Sequence, residues 1–362
     1  MKHYMFLKSV EQKYTAPSKW NEWVASSPNA TLFQTTYWAD RLVDLLGFEP
    51  KYLTLHERNN PVPVALLLYF RAAYNHLYYW KKPFGGIVLA ILKRLVPVYL
   101  WHGGPLVLQG NPITIIPSLL SEVEKRAKIE RIAYIQPSEV TTIGVCYTPD
   151  GWDKKVWATY RVDLQPDEET LWRNLKNSAR KAVKRAQRDG VTVRRISSLE
   201  ELRDYYYFAA QCAKRLGKRM YGFDDFATMW KHFHDNAVFE VFVAYHRGEK
   251  IAGLGIWGFS GIIGELGAFQ SAEAYEKKLY GQDLIKWNVI RWGHRQGFRR
   301  LDLAGVNPNP QTPKEGGIRQ FKEKWGGKYV EYPIISKEMT ENNLLLKSLL
   351  RVNRQLGCIL HR

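Results

Sequence analysis

The C-terminal third of the chain carries the side chains best suited to acyl-group chemistry. A strand is predicted over Arg300–Leu303, and it would deliver Asp302 to its end. A Pro/Gly-rich loop, Gly305–Gly317, follows, and after it come Phe321 and Lys322. Strand ends beside glycine-rich loops are common ligand sites. A lysine ammonium aimed at a developing oxyanion would stabilise the tetrahedral intermediate of amide formation.

Asp302, Phe321 and Lys322 are therefore the candidate catalytic residues. Composition alone leaves another interpretation open, because several lysines lie in this region. Lys322 would then be a surface lysine beside a packed phenylalanine.

A second candidate is a strongly basic segment that contains a single acid, Asp189. Its nine basic residues are Arg173, Lys176, Arg180, Lys181, Lys184, Arg185, Arg188, Arg194 and Arg195. We predict one helix that begins near the acidic residues Asp167–Glu169 and runs through Asn174–Arg188, and on it Arg173, Lys176, Arg180 and Lys184 share a stripe. Like charges so placed repel, and a bound polyanion would offset that repulsion.

Three residues of this segment, Arg180, Lys184 and Arg188, are the candidate polyanion-binding residues. The alternative is a solvated basic face, which is the usual fate of charge runs.

Other catalytic signatures are weak or missing from the sequence. His232 and His234 are two residues apart, so on a helix they would not share a face, and surface positions are favoured over a metal site. Serine and cysteine nucleophile motifs and a Walker loop are absent. Tyr280-Gly281-Gln282 lies near the place of a coenzyme A loop but is an incomplete match.

Helices and hairpins alternate around the candidate catalytic residues. A hairpin is predicted from Phe239–Tyr245 and Lys250–Trp257, and Ile262–Phe269 would continue its sheet. Tyr280–Gln296 is predicted as the helix that precedes the strand of Asp302.

The first half of the chain shows the same mixture. We predict a helical region over residues 16–48, strands at Tyr52–His56, Val62–Tyr69 and Tyr74–Trp80, and a helix at Ser118–Lys128. The fold class is α/β (α+β), with mixed sheets flanked by helices and a domain boundary near residue 160.

The charge balance favours polyanionic partners. The 362 residues include 53 Lys and Arg against 35 Asp and Glu, a formal net charge of +18. Nucleic acid, anionic lipid headgroups and phosphorylated or nucleotide-linked substrates are all compatible with this charge. The three cysteines have no C-x-x-C spacing, which argues against a zinc ribbon or disulfide framework and favours the cytosol. The first residues lack the apolar core of a signal peptide.

Two apolar segments have no predicted role in catalysis. Pro83–Val96 is predicted to be either a buried helix or a helix that touches lipid. Asn342–Arg362 resembles a basic amphipathic helix that would dock on its own domain or lie on an anionic membrane.

Short motifs spread over most of the chain resemble the FemAB family of aminoacyltransferases. In chain order they are Phe33-Gln34 with Trp38-Ala39, Tyr99 with Gly104-Pro105, Val162–Leu164, Lys184–Val191, Ala213–Arg215, Leu301–Gly305 and Gly317–Gly327. Each motif is weak alone, and their common order carries the resemblance.

The resemblance implies two tandem GNAT-like domains, at residues 1–160 and 161–336, followed by a C-terminal amphipathic helix at 337–362. It implies transfer of an amino acid from aminoacyl-tRNA to the amine of a peptidoglycan precursor, either lipid II or its nucleotide-linked form. No metal or cofactor is required. The expected location is the cytoplasm, with peripheral contact to an anionic membrane at its inner face.

The resemblance also assigns roles to residues. Lys322 would steady the tetrahedral intermediate and Phe321 would shape the site. Arg41, Tyr99 and Arg215 would hold the phosphates or the peptide of the precursor.

Two departures from the family pattern stand out. His102-Gly103 occupies the turn where family members usually carry a basic residue, and no long coiled-coil insertion interrupts the second half. Two other functions therefore stay open, an acyl-coenzyme A-dependent N-acyltransferase on the same fold and a non-enzymatic nucleic-acid binder that uses the basic segment.

Overall fold

The computed structural model describes residues 7–58, 60–79, 83–135, 149–217, 220, 222–234, 238–339 and 347–348. These residues divide between two compact units. Unit 1 takes its residues from 1–29, 33–156 and 332–362, and unit 2 takes its residues from 30–32 and 157–331. The domain limits proposed from the sequence, 160 and 336, stand as proposals beside these limits. The helix proposed for the C-terminal tail lies almost wholly outside the described residues.

Unit 1 combines a sheet with five α-helices among its described residues. Its strands are β1 (Leu7–Lys13), β2 (Glu49–Glu57), β3 (Ala65–Ala73), β4 (Pro97–Leu100), β5 (Leu106–Val107) and β6 (Tyr134–Ile135). Its helices are α1 (Trp20–Ser26), α2 (Thr36–Leu46), α3 (His76–Tyr79), α4 (Gly85–Leu95) and α5 (Pro112–Ile129). A short 3-10 turn, Leu32–Gln34, precedes α2.

Two long strands pass from one unit to the other along the chain. They are β7 (Asp153–Asp163) and β13 (Lys328–Glu338). Unit 2 also contains strands β8 (Thr192–Arg195), β9 (Val238–His246), β10 (Glu249–Phe259), β11 (Ile262–Gln270) and β12 (Arg300–Val306). Its helices are α6 (Glu168–Asn174), α7 (Asn177–Arg188), α8 (Leu199–Arg215), α9 (Phe223–Phe233), α10 (Ala272–Glu276), α11 (Gly281–Arg295) and α12 (Pro313–Glu323).

The two units share one strand plan. In unit 1, β1, β2, β3 and β4 pair antiparallel in sequence, β4 pairs parallel with β6, and β6 pairs antiparallel with the end of β13. In unit 2, β8, β9, β10 and β11 pair antiparallel in sequence, β11 pairs parallel with β12, and β12 pairs antiparallel with β7. A helix, α5 or α11, connects each parallel pair, as a parallel connection requires. The two units are thus structural repeats of each other, as two tandem domains of one fold would be, although no repeat is visible in the amino-acid sequence itself.

The apolar residues of unit 2 lie where the helices pack on the sheet. The predicted hairpin of β9 and β10 is confirmed, and Gly248 at its turn has φ of 85°, a conformation that glycine adopts without strain. The inner faces of the strands and the apolar sides of α7 and α11 bury one core in unit 2, which includes Val183, Ile290 and Leu254. The helices therefore cover the sheet that carries Asp302, and helix α12 carries Phe321 and Lys322.

One strand prediction was wrong. The segment Tyr74–Trp80 was expected to be a strand, but over its described residues it turns and forms α3. Asn75 has φ of 53°, a left-handed conformation that asparagine tolerates, and this residue ends the extended run of β3.

The apolar segment around α4 is only half buried. Gly85, Leu89 and Leu92 are buried, whereas several other apolar side chains of this helix are exposed. Of the two predicted alternatives, burial thus describes only one side of this helix. Among the residues that the structure describes, no helix is both long and apolar enough to cross a bilayer.

Candidate active site

The site in unit 2 is organised by a bulge in β12. Asp302 pairs with Arg161 of β7 and Gly305 pairs with Thr159, so two residues of β12 lie opposite one residue of β7. Ala304, inside the bulge, has φ of 61°. The strand was expected to end at Leu303 but continues to Val306, and Asp302 consequently lies inside it.

Asp302 holds the bulge together. Its Oδ1 accepts hydrogen bonds from the Thr159 hydroxyl at 2.6 Å and from the Ala304 N–H at 2.9 Å. Its Oδ2 accepts from the Arg161 Nε at 3.3 Å. The carboxylate is buried, so each of these bonds replaces a contact with water. These bonds indicate that Asp302 fixes the backbone conformation of the β12 bulge.

Lys322 is seated on this bulge. Its Nζ donates to the carbonyl oxygens of Ala304 at 3.1 Å and Gly305 at 3.0 Å. The side chain is partly buried near the end of α12. Asp302 thus shapes the backbone that receives the Lys322 ammonium, and the structure brings these two predicted residues together.

The start of α12 is specified locally. Thr312 caps the helix by accepting from the Glu315 N–H at 3.2 Å, and the Glu315 carboxylate accepts from the Thr312 N–H at 3.2 Å. This is a capping box, and Pro313 at the first helical position adds to it. The loop predicted to reach Gly317 therefore ends at Thr312.

Phe321 packs against the core of unit 2. Its ring meets Trp325 edge-on with the ring centroids 5.9 Å apart, and the Nζ of Lys324 lies 4.3 Å from its centroid. These contacts fix the last turn of α12, which carries Lys322.

A cluster of buried charges on α11 and β11 lies beside this helix end. Lys324 forms an ion pair with Asp283, and Lys286 forms one with Glu265. Burial raises the pKa of Asp283. Burial, with a further contribution from the Lys322 and Lys324 charges, holds the pKa of Lys286 well below its usual range.

The electrostatic influence of Lys322 and Lys324 on Lys286 indicates one connected charge cluster around the candidate lysine. Sequence reasoning missed Thr159, Asp283, Lys286 and Glu265, because each is isolated in sequence from its partner.

Two glycines hold the chain that follows Lys322 close to its neighbours. Gly326 has φ of 76°, and a Cβ there would lie 2.8 Å from the carbonyl oxygen of Asn174. A Cβ on Gly327 would lie 3.1 to 3.2 Å from backbone atoms of Arg161. Both close contacts are with backbone, which cannot move aside as a side chain can. The double-glycine motif therefore has a packing function.

We expect Gly326→Ala to destabilise unit 2 by about 2–3 kcal/mol, because it adds both a left-handed alanine and a clash with backbone. Chemical unfolding followed by circular dichroism would measure the change. Gly316→Ala is the matched control, since a Cβ there meets nothing within 4 Å and alanine favours the helix. Equal stability of the two variants would contradict this explanation of the motif.

Arg215 lies at a surface groove of unit 2. The guanidinium donates to the Gln270 carbonyl at 2.9 Å and remains exposed. The groove has a volume of about 460 Å³, and its lining includes Tyr207, Cys212 and Lys250. Burial raises the pKa of the Cys212 thiol, so this cysteine is not activated as a nucleophile.

Arg41 and Tyr99, the other two predicted substrate-binding residues, are buried in unit 1. The Arg41 guanidinium carbon lies 4.9 Å from the ring centroid of Trp38. Tyr99 meets Tyr69 edge-on at 4.9 Å, and the Nζ of Lys51 lies 5.6 Å from the Tyr99 ring. Arg41 and Tyr99 therefore lie among different neighbours, Arg41 beside Trp38 and Tyr99 beside Tyr69 and Lys51.

His102 lies in the turn before Gly104-Pro105, where the family resemblance led us to expect a basic residue. Its imidazole is neutral in the folded protein. Burial and the charge of Arg41 lower the pKa of His102 to about 3. Its ring meets Trp38 edge-on at 5.1 Å. This position therefore contributes no positive charge at neutral pH, and Arg41 is the nearby cation.

The depressed pKa of His102 predicts a stability change with pH. Between the unfolded pKa, about 6.5, and the folded pKa, the unfolded chain binds more protons, so stability falls as pH is lowered. We expect wild-type unit 1 to lose stability between pH 7.5 and pH 5, and His102→Gln to lose less. Urea unfolding at both pH values tests this. An identical loss in both proteins would contradict it.

The basic segment is not one helix. Leu175 and Lys176 are extended and separate α6 from α7, so the predicted stripe that joined Arg173 and Lys176 to Arg180 and Lys184 was wrong. The break between the two helices coincides with contacts to residues about 150 positions later in the chain. The Lys176 N–H donates to the Lys324 carbonyl at 3.0 Å, and its Nζ bonds Glu323 at 2.6 Å.

The three predicted polyanion-binding residues have different surroundings. Arg180 donates to the carbonyls of Arg173 at 2.8 Å and Leu175 at 2.5 Å, so it caps α6. Lys184 is exposed, and Arg188 is exposed while contacting Asp189 at 3.3 Å. The exposed basic face of α7 thus keeps Lys184 and Arg188 but not Arg180.

The incomplete coenzyme A loop has a structural role. Gln282 donates through its Nε2 to the carbonyl oxygens of Gly253 at 2.9 Å and Phe269 at 2.6 Å. Its side chain therefore ties α11 to β10 and β11.

Comparison with known proteins finds similarity to one family over part of the chain. The FemAB family model matches residues 139–249, which include the basic segment, Arg215 and the β9 strand. No curated protein matches the sequence. The family match supports a transferase that moves an acyl group.

Solved structures show the fold. The crystal structure of FemX is 15% identical, covers 93% of this chain and 99% of its own, and has a TM-score of 0.69. A tandem GNAT protein from the clavulanic acid biosynthesis pathway is 11% identical, with 93% and 99% covered and a TM-score of 0.52. The C-terminal domain of a putative lysylphosphatidylglycerol synthetase from Agrobacterium fabrum is 13% identical, with 92% and 96% covered and a TM-score of 0.52.

These matches confirm the predicted fold of two tandem GNAT-like domains with mixed sheets and flanking helices. They also confirm the resemblance of this chain to the FemAB family, first indicated by the order of its motifs.

Proposed function

We propose that this chain is an aminoacyltransferase that moves an amino acid from aminoacyl-tRNA to the amine of a peptidoglycan precursor. The observation that carries the proposal is the position of the Lys322 ammonium, held by the Ala304 and Gly305 carbonyls at the β12 bulge. The match to the FemAB model supports the donor and acceptor classes.

The chemistry requires stabilisation of one developing charge. The precursor amine attacks the ester carbonyl carbon of aminoacyl-tRNA, and the carbonyl oxygen becomes an oxyanion. Collapse of this tetrahedral intermediate forms the amide bond, breaks the ester bond, and leaves the amine proton on the ribose oxygen of the tRNA. Lys322, positioned before the reaction, would stabilise the oxyanion by its charge.

Basic residues would hold the phosphates of donor and acceptor. Lys184 and Arg188 on the exposed face of α7 suit a polyanion such as tRNA, and Arg215 at its groove suits the acceptor. Arg41 would hold the precursor from its buried position beside Trp38, and Tyr99 would do so as a neutral hydroxyl, since burial raises its pKa. The acceptor is lipid II or its nucleotide-linked form, handled on the cytoplasmic side of the membrane.

A coenzyme A-dependent N-acyltransferase is the second candidate, because the tandem GNAT protein of the clavulanic acid pathway has the same fold. The engagement of Gln282 with two strand carbonyls argues against a coenzyme A loop at Tyr280-Gly281-Gln282.

A donor comparison tests the proposal. The purified chain is incubated with lipid II or the nucleotide-linked precursor, and either charged tRNAs or acyl-coenzyme A is added. Mass spectrometry of the acceptor is expected to show an added amino acid only with charged tRNA. An added acyl group only with acyl-coenzyme A would overturn the proposal in favour of the second candidate.

A further inference from the structure

Helix α4 exposes a continuous apolar face. Phe84, at its N-cap, is 79% exposed, and Ile87, Ile91 and Leu95 are 63%, 52% and 53% exposed. Spacings of four residues place Ile87, Ile91 and Leu95 on one side of the helix, and Phe84 lies at the start of the same helix. Exposed leucines and isoleucines scattered singly are ordinary, but a row of three on one helix face with an exposed phenylalanine at the helix start indicates a binding surface.

The orientation of this face is fixed by the opposite side of the helix. Leu89 and Leu92 are buried, and α4 packs on β3 and β4. The Nζ of Lys93 contacts Glu49 of β2 at 2.7 Å. The packing of Leu89 and Leu92 and the ion pair of Lys93 therefore fix the orientation of the helix. It cannot rotate to bury the exposed row without losing these contacts.

The sequence around the row is basic. The sequence contains no Asp or Glu between Glu57 and Glu122, whereas Arg94 is exposed beside the row. The whole chain carries a formal net charge of +18. An apolar strip with the exposed Arg94 at its margin and no acid among residues 58–121 complements a surface that is apolar inside and anionic outside.

We propose that α4 is a membrane-docking helix, which lies in the plane of an anionic bilayer with Phe84, Ile87, Ile91 and Leu95 inserted at the headgroup boundary. Eleven residues span only about 16 Å as a helix, so α4 suits the interface and not a transmembrane position. Arg94 contacts the anionic headgroups. This places the membrane contact on α4 instead of the C-terminal tail, and it would bring the chain to acceptors that carry a lipid.

A vesicle-binding experiment with the full chain tests the assignment. Vesicles of phosphatidylcholine with roughly one-third phosphatidylglycerol supply the anionic surface, and pure phosphatidylcholine vesicles are the comparison. Wild type is expected to co-sediment with the anionic vesicles, and added salt is expected to weaken this binding. The double variant Ile87→Ser/Ile91→Ser is expected to bind at least about tenfold more weakly.

The matched control is Ile113→Ser/Ile129→Ser, two isoleucines that are 57% and 81% exposed on α5 of the same unit. This control is expected to bind as wild type does. Because all four substituted side chains are exposed, the folded content of both variants should equal that of wild type, as circular dichroism would show.

Three results would overturn the proposal. They are wild-type failure to bind anionic vesicles, equal binding by wild type and the α4 variant, and self-association of wild type that the α4 variant loses without any vesicle binding. The last result would assign the face to a second copy of the chain. The test uses no donor or acceptor, so a failure of the proposed transferase activity would leave its outcome unaffected.

Discussion

Replacement of Lys322 by alanine is expected to lower the rate of acyl transfer at saturating substrates by about 10²- to 10³-fold. The ammonium is held by two backbone carbonyls, at 3.1 and 3.0 Å, so its charge is in place before the intermediate forms. Its loss removes an interaction that strengthens in the transition state, and KM should change little. Steady-state rates with purified donor and acceptor measure both quantities.

The control for this variant is Lys314→Ala. Lys314 is an exposed lysine on the same helix, and its loss should leave the rate unchanged. Lys322→Arg should recover only part of the rate, because a guanidinium does not fit the same pair of carbonyls. A Lys322→Ala enzyme with a wild-type rate would remove Lys322 from the mechanism.

Asp302→Ala is expected to destabilise unit 2 by about 3 kcal/mol, because it leaves the buried Thr159 and the partly buried Arg161 without their carboxylate partner. The Ala304 N–H also loses its acceptor, which loosens the backbone that seats Lys322. We therefore expect a lower transfer rate together with the lower stability. Denaturant unfolding and steady-state kinetics on the same preparation test both.

A comparison of two further variants separates a positioning role for Asp302 from direct catalysis. Asp302→Asn keeps an acceptor oxygen for the Ala304 N–H, so it should retain much of the rate. Asp163→Ala, an exposed position on β7, should change stability by less than about 1 kcal/mol. If Asp302→Asn is as stable as wild type but inactive, Asp302 acts on the substrate itself, as the sequence first suggested.

The predictable parts of the fold depend on local signals. The β9–β10 hairpin has a turn with a glycine at positive φ between two apolar runs, and α11 has an uninterrupted helical pattern. Both elements formed where the sequence placed them. The tandem arrangement came from the family resemblance, and the strand order could not be read from local patterns, because pairing partners such as β7 and β12 lie far apart in the chain.

The errors have physical causes that short-range patterns do not contain. Residues 174–188 are mostly good helix formers without Gly or Pro, so their sequence favours one helix. The break at Leu175 and Lys176 accompanies the bond between the Lys176 N–H and the Lys324 carbonyl. A tertiary contact therefore overrides the local preference.

The candidate site was predictable only in part. The Phe-Lys motif pointed to Phe321 and Lys322, and the structure connects Lys322 to Asp302 through the bulge. The bulge itself, Thr159 and the buried pairs Asp283–Lys324 and Glu265–Lys286 were not visible in the sequence. Their formation depends on β7, β11, β12 and α11 meeting in three dimensions.

The central claim is that the chain takes an amino acid from tRNA. The most direct measurement follows a radiolabelled amino acid from purified aminoacyl-tRNA to the precursor, with and without prior ribonuclease treatment of the donor. The account predicts label in the precursor that disappears after ribonuclease treatment and is strongly reduced with Lys322→Ala. Failure of label to reach the precursor, under conditions where acyl-coenzyme A modifies it, would contradict the account.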